Sequence, residues 1–296
     1  MIAGFIGLGT MGAPMARNVL AKGHTLVVHD LAAASVAALV SAGAASAATP
    51  REVAAQCEVV ITMLPDAPDV ERVALGPDGI VAGLRSGSLY VDMSTIDPAT
   101  TRRIGEAVRA KGASMIESPV GKTADAAVSG TLTLMVGGAA PDVERARPLL
   151  LAMGTDLFHC GDLGAGQTMK LLNNLLAQTI GMANVETLVA GVKAGLTLDT
   201  MLGVLRTTMA WNNHLANGMP KRSLVGNFTP GFTLKLAHKD CRLALGLIDS
   251  MSLRAPVSHA TLTALDDGMK GGIANDDVGA MLKLREQAAN VEVRLK

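Results

Sequence analysis

Lys170 stands three residues before Asn173 and four before Asn174 in the segment Gly164-Ala165-Gly166-Gln167-Thr168-Met169-Lys170-Leu171-Leu172-Asn173-Asn174. On a helix those spacings put an ammonium and two amides on one face. A lysine in an apolar setting with amides beside it can hold a proton where a reacting oxygen needs one. Asn is a poor helix former, so two in succession in an apolar stretch ask for a reason, and buried amides need partners. The plain alternative is a solvated lysine on an ordinary helix. A second constellation lies near the start. Gly7-Leu8-Gly9-Thr10-Met11-Gly12 has the GxGxxG spacing, and Asp30 follows about 20 residues on. Gly7 permits a tight turn, Gly9 lets a pyrophosphate approach the backbone, and Gly12 lets the next helix pack close to the strand. The helix that opens there turns its N–H groups and its positive end toward the phosphate.

Glycine turns alone are common. The flanking pattern makes this one specific: an apolar run from Ile2 to Ile6 before it, Met15, Val19 and Leu20 at helical spacing after it, then a second apolar run from Thr25 to Val28 ending at Asp30. A carboxylate accepts hydrogen bonds from a ribose 2′-hydroxyl and repels a 2′-phosphate. Leu31-Ala32-Ala33-Ala34 carries no basic residue to neutralise one, so the expected cofactor is NAD rather than NADP. The alternative is a structural turn that binds nothing.

The elements that must hold these residues follow from the period of the apolar pattern. Strands are expected at 58–64, ending in Pro65-Asp66, at 87–94, ending in Ser94-Thr95, and at 114–120, 131–136 and 155–160, with helices at about 32–42, 98–111 and 141–152 between them. Alternation of this kind favours a doubly wound parallel sheet with helices on both faces, and ligands bind at the carboxyl ends of such strands. Beyond Gly161-Asp162-Leu163-Gly164 the strand pattern stops. One long helix is expected over about 166–193, then helices at about 197–208, 233–252, 257–270 and 276–291. The expected architecture is therefore an α/β, Rossmann-type domain over 1–162 and an all-α second domain over 163–296, joined by the long helix.

Nearly half of the 296 residues are hydrophobic (49%), enough for two cores. Lys+Arg and Asp+Glu are equal in number and the net charge is zero, which argues against nucleic acid or an anionic membrane as partner. No apolar stretch is expected to span a membrane, and the first residues lack a charged signal-peptide start. Cys57, Cys160 and Cys241 are far apart, with neither metal-ligand spacing nor the even count of a disulfide framework. No metal is expected, and the expected location is the cytoplasm. His238 has no second histidine at metal spacing. Lys239-Asp240 reads as a solvated charge pair. The long helix is apolar around more than one face and predicts a homodimer or homotetramer.

Together these segments resemble the β-hydroxyacid dehydrogenase family, which includes 3-hydroxyisobutyrate dehydrogenase and tartronate semialdehyde reductase. The resemblance runs through nearly the whole chain: Phe5 to Leu20, MLPDA, DMSTIDP, GTLTLMVGG, GAGQTMKLLNN and FTLKLAHKDCRLAL. It implies that Lys170 is the general acid/base, that Asn174 helps hold substrate and lysine, and that Asn173 belongs to the substrate region. It further implies that Ser94 and Thr95 lie by the nicotinamide and substrate, that Leu64 and Pro65 cover the cofactor, and that Lys239 reaches toward it. Most members carry Ser-Gly-Gly after Pro-Val, whereas here Pro119-Val120 is followed by Gly121-Lys122-Thr123. That is similar to the branch of 3-sulfolactaldehyde and succinic semialdehyde reductases, also described as γ-hydroxybutyrate dehydrogenases, where a basic residue, usually Arg, follows Pro-Val-Gly. The implied function is NAD-dependent hydride transfer to or from a small hydroxyacid or semialdehyde with an anionic end, read by Lys122 with Gly121 and Thr123. The alternatives are a plain 3-hydroxyisobutyrate dehydrogenase or tartronate semialdehyde reductase, or a non-catalytic dinucleotide-binding protein on the same fold.

Overall fold

The computed structural model describes residues 1–295. Contacts divide the chain at Leu171/Leu172, inside the long helix. The first unit is built on β1 (Ile2–Ile6), β2 (Thr25–His29), β3 (Ala45–Ser46), β4 (Val59–Thr62), β5 (Leu89–Asp92), β6 (Ser114–Glu117), β7 (Val120–Gly121), β8 (Leu132–Gly137) and β9 (Gly154–Gly161). The helices between them are α1 (Gly12–Ala21), α2 (Ala33–Val40), α3 (Pro50–Gln56), α4 (Ala67–Leu75), α5 (Ile80–Gly83), α6 (Pro98–Arg109), α7 (Ala124–Ser129) and α8 (Ala140–Met153). The first six strands run parallel in the order β3-β2-β1-β4-β5-β6, so the strand order reverses between β1 and β4. Ligands bind at such a reversal.

The continuous apolar runs of these strands follow from burial on both faces. Phe5, Val28, Ile61, Val91 and Ile116 feed one core, with Met15 and Val19 of α1 and Leu149 of α8. Ile6, Val27, Val60, Tyr90 and Met115 feed the other, with Val53 of α3, Val70 of α4 and Ile104 of α6. Helix starts match their capping chemistry. Thr49 accepts from Glu52 N, Asp66 from Ala67 N and Asp97 from Thr100 N, each with Pro in the first turn.

The sheet departs from the all-parallel expectation at its far edge. β8 runs antiparallel to β6 and β7, and β9 is parallel to β8. The reason lies in the link. The chain after β6 bends at Ser118-Pro119 into the short β7 and then the six-residue α7, too little for a full crossover, so it returns beside itself. The left-handed turn after β7 also falls one residue later than the glycine suggests. Lys122, not Gly121, has φ of 76°. Gly121 is packed instead, and a Cβ there would lie 3.3 Å from both Met135 and Thr133.

The long helix is α9 (Ala165–Lys193). From Leu172 onward it belongs to the second unit, with α10 (Leu198–Arg206), α11 (Leu234–Ser250), α12 (Pro256–Lys270) and α13 (Met281–Ala289). Val185, Leu188 and Val189 of α9 pack with Leu198, Met201 and Leu202 of α10 and with Leu215, Met219 and Leu224. Those last residues lie in a π-turn and two 3₁₀ turns over 214–225, where Gly218 and Pro220 prevent a regular helix and the Asn212 side chain accepts from His214 N and Leu215 N. By length and composition α9 does reach membrane-spanning proportions, with a mean hydropathy of 1.3, contrary to the expectation from the sequence. It nevertheless carries Lys170, Asn173, Asn174, Gln178, Asn184 and Glu186 along its length.

Candidate dinucleotide and proton-transfer site

The glycine turn meets the geometric demands of its spacing. Gly7 has φ of 93°, and a Cβ on it would collide with Met63 O at the end of β4. A Cβ on Gly12 would collide with Gly7 O, so α1 can approach the turn only through glycine. Around Gly9 nothing lies within 4 Å of an added Cβ, which leaves that side open to a pyrophosphate. No side chain caps the start of α1. Thr10 is exposed, Met11 half-buried and Leu8 buried. Asp30 closes the arrangement. Its Oδ2 accepts from Leu8 N at 2.6 Å and its Oδ1 from Ala32 N at 2.7 Å. The carboxylate thus ties the end of β2 to the glycine turn while keeping lone pairs for a ribose hydroxyl. These residues fit a bound NAD.

The loops after β4 and β5 are fixed by a buried polar network. Asp92, at the end of β5, accepts on Oδ1 from Thr62 Oγ1 at 2.7 Å, Ser94 N at 3.1 Å and Ser94 Oγ at 2.6 Å. Tyr90 OH lies 2.8 Å from Thr62 Oγ1, and because Thr62 donates to Asp92, Tyr90 is the donor there. Burial, reinforced by the Asp92 charge, holds the Tyr90 phenol well above its ordinary range. Ser94 Oγ in turn accepts from Leu64 N at 2.9 Å. Ser94 is therefore fully buried and its hydroxyl is engaged on both sides. Its side chain acts as a clamp on Leu64. Thr95 and Leu64 are half-buried and Pro65 is exposed at the same sheet edge.

Gln167, in the first turn of α9, binds the two residues that bracket Thr95. Its Nε2 donates to Ser94 O at 2.8 Å and its Oε1 accepts from Ile96 N at 3.2 Å. Lys170 follows at i+3 and so leaves the helix on the face turned toward that segment. It is only 9% exposed. Asn174 is one turn further on and is also buried, its Nδ2 donating to Asp240 Oδ2 at 2.6 Å. Asn173 is exposed, and its Nδ2 donates to Asn174 Oδ1 at 3.1 Å. One of the two amides is thus buried with partners, and the other steers it. Asp240 is buried, and Lys239 Nζ stands 3.4 Å from its Oδ1 with a side chain 12% exposed. The expected solvated charge pair is a nearly buried one.

Lys122 Nζ donates to Thr131 O at 2.6 Å and to Asp156 Oδ2 at 3.1 Å. The lysine holds the Asp156 carboxyl below the usual range. Thr123 is exposed at the start of α7, its side chain making no cap bond. Among the described residues no three His, Cys, Asp or Glu side chains gather as a metal cluster.

Three polar residues central to this geometry are not evident from motif spacing: Asp92, Gln167 and Asp240. Asp92 does leave a signal, since it is an acid closing an otherwise apolar strand. Gln167 and Asp240 leave none beyond their nearness to Lys170 and Lys239.

A glycine turn at a strand-order reversal, an acid at the end of β2 and a nearly buried lysine facing the loop after β5 define a nicotinamide-dinucleotide-dependent oxidoreductase. Comparison with known proteins agrees. Residues 2–161 match the family model for the NAD binding domain of 6-phosphogluconate dehydrogenase, and residues 164–285 match that for the NAD-binding of NADP-dependent 3-hydroxyisobutyrate dehydrogenase. The chain is 37% identical to 3-sulfolactaldehyde reductase of Escherichia coli, across 99% of this chain and 98% of that protein. It is 36% identical to 2-(hydroxymethyl)glutarate dehydrogenase of Eubacterium barkeri, across 98% and 96%. The solved structure of Mycobacterium tuberculosis 3-hydroxyisobutyrate dehydrogenase with L-serine superposes with a TM-score of 0.89 at 29% identity, covering 96% of this chain and 98% of that one. The chain belongs to the β-hydroxyacid dehydrogenase family. It is an NAD-dependent oxidoreductase that transfers hydride between nicotinamide and a small hydroxyacid or its semialdehyde.

Proposed function

We propose that the protein reduces a semialdehyde with an extended anionic end, of the 3-sulfolactaldehyde or succinic semialdehyde type, with Lys170 as the proton donor. The observation that carries the role of Lys170 is the Gln167 amide, which binds both sides of Thr95 and turns the Lys170 face of α9 toward the end of β5. Bound NADH supplies the hydride. Lys170 gives its proton to the oxygen of the carbonyl being reduced and takes it back in the reverse direction. Asn174, held by Asp240, keeps a fixed amide one turn beyond Lys170. Thr95, with both neighbours pinned, lies at the substrate end of β5. Leu64, held by Ser94, and Pro65 cover the cofactor. Gly7, Leu8, Gly9, Thr10, Met11 and Gly12 receive the pyrophosphate, and Asp30 the adenosine ribose.

The anionic end falls to the segment Gly121-Lys122-Thr123. Lys122 is 43% exposed along its side chain and its partner Asp156 is 51% exposed. Such exposed pairs contribute little, so an arriving sulfonate or carboxylate can take the ammonium over. The name of the Escherichia coli relative supports the sulfonate form. A second reading, a short 3-hydroxyacid as substrate, is favoured if Lys122 stays with Asp156. The exposed apolar residues of the helical unit, Leu176 at 61% and Val204 at 58% among them, support a homo-oligomer. The unpaired thiols support a reducing compartment such as the cytoplasm.

The test is an initial-rate panel of sulfolactaldehyde, succinic semialdehyde, methylmalonate semialdehyde and tartronate semialdehyde with NADH, run on the native chain and Lys170→Ala. The expected result is preference for the first two and a loss of about 10²–10⁴-fold in kcat with cofactor binding retained. Near-native turnover of Lys170→Ala would make the lysine structural, and preference for the last two would move the substrate to the short class.

A further inference from the structure

Glu117 closes β6 and is fully buried. Its Oε1 accepts from Gly164 N at 2.7 Å and Gly166 N at 2.9 Å, two backbone groups at the entry to α9. The surroundings are shaped around that carboxylate. A Cβ on Gly137, the register partner of Glu117 in β8, would collide with Oε1 and lie 2.8 Å from Gly166 N. A Cβ on Gly166 would collide with Met135 O and lie 3.0 Å from Gly137 N. Glycine on both sides is therefore what lets an acid stand between β8 and the first turn of α9. Nothing in the cofactor or substrate reading uses this acid.

We propose that Glu117 is a positioning residue for proton transfer: its carboxylate pins the first turn of α9 against β6 and β8 and so fixes where Lys170, one turn on, leaves the helix. The inference rests on Lys170 as the proton-transfer residue. An anion at a helix start also complements the helix dipole, and its bonds to N–H groups are stronger when it is charged. Burial pushes the Glu117 carboxyl up to about 7, with the N–H donors opposing the rise. The donors lower its pKa relative to a turn in which the sheet still buries the acid but the N–H groups are released, so ionisation favours the bonded turn and protonation near pH 7 loosens it. Ionisable side chains on the elements packed there include Asp92 of β5, the register partner of Glu117, Arg102, Arg103, Glu106 and Arg109 of α6, Asp142, Glu144, Arg145 and Arg147 of α8, His159 and Cys160 of β9, Asp162 of the following loop and Lys170 itself.

Two measurements test this. In the native chain, amide exchange at Gly164 and Gly166, corrected for intrinsic rate, is expected to slow by about three- to tenfold between pH 6 and pH 8 as the carboxylate ionises. Invariant protection across that range would overturn the clamp, whatever Lys170 does. In steady state, Glu117→Gln is expected to lose about tenfold in kcat while KM for NADH changes less than about twofold, because a small misplacement of a proton donor is enough for such a loss. The native kcat profile should show an acid limb with its midpoint near 7, and that limb should disappear in the variant. Gly137→Ala, which displaces the carboxylate without removing it, should give the same kcat loss. If both variants fold and keep native kcat and the native acid limb, Glu117 is structural only. If instead Lys170→Ala keeps its turnover while the pH-dependent protection is seen, the Lys170 reading fails and the clamp stands.

Discussion

The double change Asp30→Ser with Leu31→Arg puts the cofactor reading at risk in a way the structure makes quantitative. Asp30 does two things at once. It holds the glycine turn through Leu8 N and Ala32 N, and it is the proposed acceptor for the adenosine ribose. Loss of the first function affects both cofactors alike, because both need the same turn. Loss of the second affects NAD alone. A hydrogen bond to a charged group contributes about 1.5–3 kcal/mol, a factor of about 10–150 against NAD. Leu31 is 90% exposed, so an arginine there meets no steric resistance and offers a planar fork to a 2′-phosphate, a gain of similar size for NADP. The ratio of kcat/KM for NADH over NADPH should therefore fall by about 10²–10⁴-fold in the double variant. Asp30→Ala alone should raise KM for both cofactors and lower the melting temperature by a few degrees. Initial rates followed by the absorbance of reduced nicotinamide, with a thermal melt on each variant, give all four quantities. An unchanged cofactor ratio in the double variant would refute the ribose role. An Asp30→Ala variant impaired with NADH alone, at native melting temperature, would refute the structural one.

Other outcomes follow from the same geometry. Asp156→Asn should free the Lys122 ammonium and lower KM for the anionic substrate about two- to fivefold, while Lys122→Ala should raise it about 10- to 150-fold; if neither variant moves KM, Lys122 does not read the anion. Asp240→Ala should destabilise the helical unit by about 1–3 kcal/mol in denaturant melts, because it takes away the carboxylate that faces the nearly buried Lys239 ammonium and accepts from the Asn174 amide; an unchanged melt would mean the pair is solvated. Light scattering at micromolar concentration should report a dimer or tetramer, and a monomer there would count against the exposed apolar face of α9 as an interface.

Much of the fold was legible because its causes are local. Apolar runs bounded by glycine and proline gave β1, β2, β4 and β5, and the helix expected over about 98–111 is α6. The antiparallel return of β8 was not legible, since it depends on the length of the link after β6 rather than on any residue pattern in β8. The lysine–asparagine face was visible from spacing, yet only the structure separates buried Asn174 from exposed Asn173. The surroundings of Lys122 were not legible: a left-handed φ falls on the lysine itself, and its ammonium has partners just before β8 and in β9.

The polar residues at the carboxyl edge of the sheet explain why spacing found some roles and missed others. Thr62, Asp92 and Glu117 are consecutive register partners across β4, β5 and β6, and all three are fully buried. A row of hydroxyl and carboxylate groups with no water must satisfy itself from nearby donors, and the donors at hand are the loops that leave the strand ends. Asp92 takes Ser94 N and Oγ, which brings in Leu64. Glu117 takes Gly164 N and Gly166 N, which brings in α9. The acids thereby set the positions of the loop segments that the proposed function puts next to the ligands, and have no ligand role in it themselves. Motifs read from sequence register the groups proposed to meet the cofactor, such as the glycines and Asp30. An acid that works by orienting a neighbouring loop looks, in sequence, like any polar residue at the end of a strand.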